Sequence, residues 1–298
     1  MIQPKYLQKN DTVAIVSTAR KISLAEIQPA IELLKSWGLK VIVGETIGLE
    51  ANQFAGNDAQ RTSDFQRMLD NPTIKAIWCA RGGYGTVRIV DGLDFTEFKK
   101  HPKWIVGYSD ITVLHSQLHN LGYKTLHATM PLDIEKCSDE SQISLKKVLF
   151  GESLNYEIAA SSANKMGKAS GELIGGNLSI LYSLLGSNSS LKTDGKILFI
   201  EDLDEYLYHI DRMLMNLKRN GYFDNLNGLI IGGMTDMNDN AIPFGKNAHE
   251  IILDFAAECD FPIVFNFPAG HLTDNRALIL GRNVNLEVNE KKTNLIFL

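Results

Sequence analysis

Short apolar runs alternate with helix-period segments along this chain. Val13-Ala14-Ile15-Val16 reads as a buried strand, and Ser23-Leu24-Ala25-Glu26 has the spacing of a capping box that opens a helix ending at Gly38. Residues 39–43 form a second apolar run. A loop containing Phe54-Ala55-Gly56-Asn57-Asp58 leads into a polar helix, which Asn71-Pro72 stops before a third run at 74–80. A fourth, Trp104-Ile105-Val106, breaks at Gly107. Beyond it Ile111, Leu114, Leu118 and Leu121 recur at helical spacing until Gly122, and 124–127 is one more short strand. Strands alternating with helices in this way predict a mostly parallel sheet covered by helices on both faces.

The texture changes after Cys137. Residues to about Gly171 are rich in Ser, Asn and Lys, with a helical patch only at 143–149, so 151–170 is read as a linker. It separates a first domain at 1–150 from a second at 171–298, and a length of 298 residues suits two domains. In the second, Gly171-Glu172-Leu173-Ile174-Gly175-Gly176-Asn177 is read as the opening of a helix that reaches Leu185. Strands expected at 196–200, 228–231, 262–265 and near Leu295 make it a smaller mixed α/β domain.

Composition narrows the function. The net charge is −5, with 30 basic and 35 acidic residues well mixed, so there is no basic face for nucleic acid and no polybasic membrane segment. No apolar run approaches transmembrane length, and the polar first residues lack the charged and apolar regions of a signal peptide, so a cytoplasmic protein acting on a small molecule or peptide is expected. Cys79, Cys137 and Cys259 are far apart and form no C-x-x-C pair, which fits a reducing compartment. No cluster has metal-ligand spacing, and no metal or cofactor is expected.

The chemistry centres on Gly107-Tyr108-Ser109-Asp110. Ser109 stands between a strand and a helix, where a hydroxyl is lifted from the sheet toward backbone N–H groups that lack intrahelical acceptors. The turn is an incomplete G-x-S-x-G elbow, because Ile111 follows Asp110, and the competing role for Ser109 or Asp110 is that of helix cap. A second loop, Arg81-Gly82-Gly83-Tyr84-Gly85, ends the third strand, with a helix expected from about Thr86. It lacks the Gly-Lys-Ser/Thr of a phosphate loop and the spacing of G-x-G-x-x-G; it is a candidate to supply an oxyanion donor, with a glycine turn needed only for tight strand-to-helix passage as its competing role. Arg81, Gly82 and Tyr84 are candidates for contact with substrate. Arg81 suits a free carboxylate, with a structural ion pair as its competing role.

A serine nucleophile needs an imidazole base and an orienting carboxylate. His115 and His119 sit at i, i+4 without the glutamate of H-E-x-x-H, and His101, His209 and His249 fall in a polar turn and helical segments, as ordinary surface positions. His127 and His271 each follow a strand and precede a loop, and the residues alone do not choose between them. For the carboxylate, Glu201 closes the run at 197–200, with Asp202, Asp204 and Glu205 as rivals.

With these residues and with Gly175-Gly176-Asn177-Leu178-Ser179, Phe199-Ile200-Glu201-Asp202, Ile210-Asp211-Arg212-Met213-Leu214 and Gly270-His271, the chain resembles the LD-carboxypeptidase family over nearly its whole length. The family's members include muramoyl-tetrapeptide carboxypeptidases and microcin-immunity hydrolases. The resemblance implies a flavodoxin-like N-terminal domain carrying Ser109 as nucleophile, and a C-terminal domain carrying Glu201 and His271, with the active site in the cleft between them. It implies oxyanion donors from the backbone of Gly83 and Asp110, a homodimer, and release of terminal D-alanine from a murein tetrapeptide in peptidoglycan recycling. One departure is the run Arg276-Ala277-Leu278-Ile279-Leu280, which has no proline before Gly281. The alternatives are an immunity-type hydrolase of peptidyl or aminoacyl nucleotides and, from another class, a non-catalytic α/β ligand-binding protein.

Overall fold

The apolar runs of the first half become β1 (Thr12–Val16), β2 (Lys40–Val43), β3 (Ile74–Cys79), β4 (Trp104–Gly107) and β5 (Thr125–His127) in a computed structural model that describes residues Met1–Leu298. They pair parallel in the order β5-β4-β3-β1-β2, the flavodoxin-like arrangement. Joining them are α1 (Leu24–Ser36), α2 (Asp58–Asp70), α3 (Thr96–Lys100) and α4 (Thr112–Asn120), with α5 (Asp139–Phe150) after β5. The capping box is real: the Glu26 carboxylate accepts from the Ser23 amide at 2.8 Å, while Ser23 Oγ accepts from the Glu26 amide at 3.3 Å. From that start α1 buries Ile27, Ala30, Ile31 and Leu34, one face at helical spacing.

The second half contains β6 (Asn155–Ala159), β7 (Gly167–Asn177), α6 (Leu178–Ser183), β8 (Ile197–Leu203), α7 (Leu207–Arg219), β9 (Gly228–Thr235), α8 (Ala248–Ala256), β10 (Ile263–Val264), β11 (Leu278–Leu280), β12 (Asn283–Val288) and β13 (Lys292–Phe297). Its sheet runs β10-β9-β8-β7-β12-β13-β6. The strands from β10 to β7 are parallel and the rest antiparallel, hence the mixed α/β character. Ile210, Met213, Leu214 and Leu217 of α7 and Ile251, Ile252 and Phe255 of α8 pack with Leu198, Ile200, Leu229 and Ile231 of the sheet into one core.

The chain divides into two compact units, Met1–Glu152 with Thr273–Ile279, and Ser153–Leu272 with Leu280–Leu298. Residues 273–279 return to the first unit, and β11 lies beside β5 in its sheet. The stretch read as a linker carries β6 and the start of β7, and the segment 171–177 read as helix is strand. Glycine is a poor helix former, and α6 starts only at Leu178, where Asn177 Oδ1 accepts from the Ile180 amide at 3.1 Å. The helix expected from Thr86 is instead two single 3₁₀ turns, Thr86–Arg88 and Val90–Gly92.

Candidate active site

In the first unit, β4 ends at Gly107 and the backbone turns sharply at Ser109, whose φ is +62°. A non-glycine residue in the left-handed region is strained, and such strain persists where the surroundings hold it. Several bonds hold it here. The Ile111 amide donates to the Tyr108 carbonyl at 3.2 Å, His115 Nε2 bonds the Gly107 carbonyl at 2.9 Å, and Tyr108 Oη donates to Asp133 Oδ2 at 3.0 Å. Neither Ser109 nor Asp110 is the cap of α4, whose N-cap position is Ile111 and has no side-chain bond. Asp110 is buried and turns the other way, with Oδ2 accepting from the Thr86 amide at 2.9 Å. Burial raises its carboxyl above the usual range, against the hydrogen bonds from Thr86 and Gly85. The residue after the serine therefore ties the elbow to the glycine loop.

That loop approaches the serine closely at a glycine. A Cβ on Gly82 would stand 3.1 Å from Ser109 Cβ, 3.2 Å from its Oγ and 3.4 Å from the Asp110 amide nitrogen. The Gly82 Cα thus abuts both the hydroxyl and one candidate oxyanion donor, and the next peptide carries the other, the Gly83 amide. A hydroxyl beside backbone N–H groups is a feature that acyl-transfer sites use.

In the second unit Glu201 lies inside β8 and is completely buried. The strand register shifts here, with Ile200 paired to Ile231 but Asp202 to Met234, so β9 places Gly232 and Gly233 opposite Glu201. Bulges of this kind re-aim side chains beside functional sites. The Glu201 carboxylate meets His271, with Oε2 2.6 Å from Nδ1 and 3.1 Å from the His271 amide nitrogen. A carboxylate only accepts, so Nδ1 carries a proton, and in the neutral ring the lone pair is on Nε2. The loop bearing His271 clings to β9 through Phe267 N to Ile231 O at 2.9 Å, Gly233 N to Ala269 O at 3.0 Å and Thr235 Oγ1 to the His271 carbonyl at 3.1 Å. Gly270, at φ +104°, lets it pass over the acid, since a Cβ there would lie 2.7 Å from both Cβ and Oε2 of Glu201.

Comparison with known proteins decides the kinship of these two halves. Residues 13–128 match the model of the LD-carboxypeptidase N-terminal domain, and residues 170–286 that of the LD-carboxypeptidase C-terminal domain. The chain belongs to the LD-carboxypeptidase family. It is 34% identical to a probable murein peptide carboxypeptidase of Bacillus subtilis, over 97% of this chain and 92% of that one. A crystal structure of muramoyltetrapeptide carboxypeptidase from Oxalobacter formigenes superposes with a TM-score of 0.87 at 26% identity, covering 96% of this chain and 98% of that one. The microcin C7 self-immunity protein MccF, in complex with aspartyl sulfamoyl adenosine, shares the fold with a TM-score of 0.89 at 22% identity, covering 99% and 98%.

The other sequence candidates of this family member have their own surroundings. His127 is fully buried, its ring against Tyr108 at 5.8 Å and His115 at 6.4 Å. His115 is also buried, and burial pushes its imidazole down to about 3, so it stays neutral. Asp202 points to α6, accepting from Asn177 Nδ2 and the Ser179 amide, both at 2.9 Å, while Asp204 accepts from Asn238 and Glu205 pairs with His209. Arg81 donates from Nη1 to the Lys21 carbonyl at 3.2 Å and lines a hollow with Lys21, Glu26 and Glu50. Tyr84 is exposed, its ring 6.1 Å from Phe54.

Phe54, in a motif to which sequence reasoning assigned no role, is a brace. The Arg61 guanidinium stands 4.7 Å and that of Arg88 5.8 Å from its ring, and Asp58 bonds both arginines. The same ring lies 3.3 Å from where a Cβ on Gly85 would be, so the motif supports the glycine loop. An aromatic followed four residues later by an acid, with arginines beyond, was the available signal.

Proposed function

We propose that this chain is a serine LD-carboxypeptidase acting on a murein tetrapeptide in the cytoplasm, with Ser109 as nucleophile, His271 as base and Glu201 as the carboxylate that orients it. The observation that carries the reading is the bond from buried Glu201 to His271 Nδ1, which leaves Nε2 as the proton acceptor. In the proposed reaction Nε2 takes the proton of the Ser109 hydroxyl as Oγ attacks the carbonyl of the penultimate residue. The amides of Gly83 and Asp110 hold the oxyanion, each contributing about 3 kcal/mol to the transition state. The imidazolium then protonates the departing amine of D-alanine, and water repeats the sequence on the acyl-enzyme.

The murein substrate is supported by the names of the relatives, and a reducing compartment by three cysteines that form no disulfide. Mass spectrometry of products from murein tripeptide, tetrapeptide and pentapeptide fragments tests the reading. Release of alanine from the tetrapeptide, absent in Ser109→Ala, is expected. The shared fold of MccF favours a second reading, hydrolysis of an aminoacyl nucleotide. Faster turnover of an aminoacyl sulfamoyl-adenosine than of tetrapeptide would establish it instead. Light scattering in solution tests the proposed homodimer.

A further inference from the structure

Three parallel strands in a row, β4, β3 and β1, deliver three loops to the same edge of the first sheet. The β4 loop carries Ser109 and the β3 loop carries Gly82 and Gly83. The β1 loop carries Arg20, whose side chain lies on Gly83: a Cβ there would meet its Cδ at 2.4 Å, its Cγ at 2.8 Å and its Nε at 3.1 Å. Consecutive glycines of one loop thus touch the serine on one side and an arginine on the other. Arg20 is exposed and takes part in none of the chain's ion pairs. Arg81 donates from one guanidinium nitrogen to the Lys21 carbonyl at 3.2 Å.

The geometry points to Arg20 as the residue that grips the substrate's free C-terminal carboxylate. Neighbouring strands lie about 4.8 Å apart, so β4 and β1, with β3 between them, deliver their loops about 10 Å from one another. One terminal residue spans about 3.8 Å, and the contacts at its two ends, nucleophile to carbonyl carbon and guanidinium to carboxylate, are about 3 Å each. The spans agree. A substrate with its scissile carbonyl at Ser109 lays its last residue along Gly82-Gly83 and ends on the guanidinium. Arginine suits the place, since its planar fork matches a carboxylate bidentately and its stem packs on the glycine. This role makes the enzyme one that removes a single terminal residue. It rests on the proposed function only in supplying a substrate with a free terminal carboxylate.

The test uses the full chain as Ser109→Ala, which binds without turnover, and an N-acyl dipeptide ending in D-alanine, as the free acid and as its C-terminal amide. Calorimetry is expected to show the acid binding about 10- to 100-fold more tightly than the amide, the effect of a charged hydrogen-bonded pair. Adding Arg20→Gln is expected to abolish that preference, and Arg20→Lys to restore part of it. In the active enzyme Arg20→Gln raises KM for the acid more than it lowers kcat. An acid preference that survives Arg20→Gln, or one lost in Arg81→Gln but kept in Arg20→Gln, would overturn the assignment, as would no acid preference with Arg20 intact. An Arg20-dependent preference in a protein that fails to hydrolyse tetrapeptide would retain the anion site and reject the murein reading.

Discussion

At Ser109 the left-handed backbone separates the role of the side chain from its cost. Ser109→Ala keeps the strained φ and removes one hydroxyl, so turnover is expected to vanish while stability in urea changes by no more than about 1 kcal/mol. Ser109→Gly is expected to be equally inactive but more stable than Ser109→Ala by about 1 kcal/mol, because glycine adopts that φ without strain. Near-normal activity in either variant would end the serine mechanism. For the pair in the second unit, Glu201→Gln and His271→Ala are each expected to lower kcat by several orders of magnitude, and the double variant little further, since such groups act as a unit. The rate should fall on the acid side as the imidazole takes a proton. Glu201→Gln removes the charge that favours the imidazolium and so moves residual activity's acid limb to lower pH. An acid limb that stays in place in that variant would argue that His271 does not titrate in the reaction.

The elements that hold these side chains make their own predictions. Gly270→Ala places a methyl against Glu201 at a φ that L residues avoid, so a loss of about 2 kcal/mol or more and of activity together is expected in denaturation and rate measurements. One position before the end of β8, Asp202 is buried and its carboxyl is pushed up to about 7, first by desolvation and then by the charge of Glu201. A group that holds its proton more tightly when folded stabilises the fold at low pH and loses that contribution as pH rises through its folded pKa. Asp202→Asn does not titrate. The stability of the native chain relative to this variant should therefore shrink between about pH 4 and pH 8, by on the order of a few kcal/mol. A difference that stays constant with pH in urea titrations would count against it.

For the whole molecule, the return of residues 273–279 makes the first unit depend on chain from beyond the second. Ala277, Leu278 and Ile279 are buried, and β11 completes the sheet at β5. A chain ending at Glu152 leaves the β5 edge unpaired and is expected to aggregate or unfold at lower urea than the intact protein. What the sequence by itself determined are features written in local physics: strands as short apolar runs, α1 by its capping box, the Ser109 turn by a glycine break, and the alternation that makes a parallel sheet. The family likeness was legible too, because its motifs are contiguous. Tertiary structure alone decided the rest. The strand at 167–177 is made by pairing with β8 and β12, partners distant in sequence that outweigh a local glycine-rich pattern. Sequence left His127 and His271 level as bases. Their difference is burial and partner, one ring enclosed by Tyr108 and His115, the other bonded to a carboxylate 70 residues away. Arg20 went unseen for the same reason, since its place beside Gly83 follows from strand order, which no local pattern encodes.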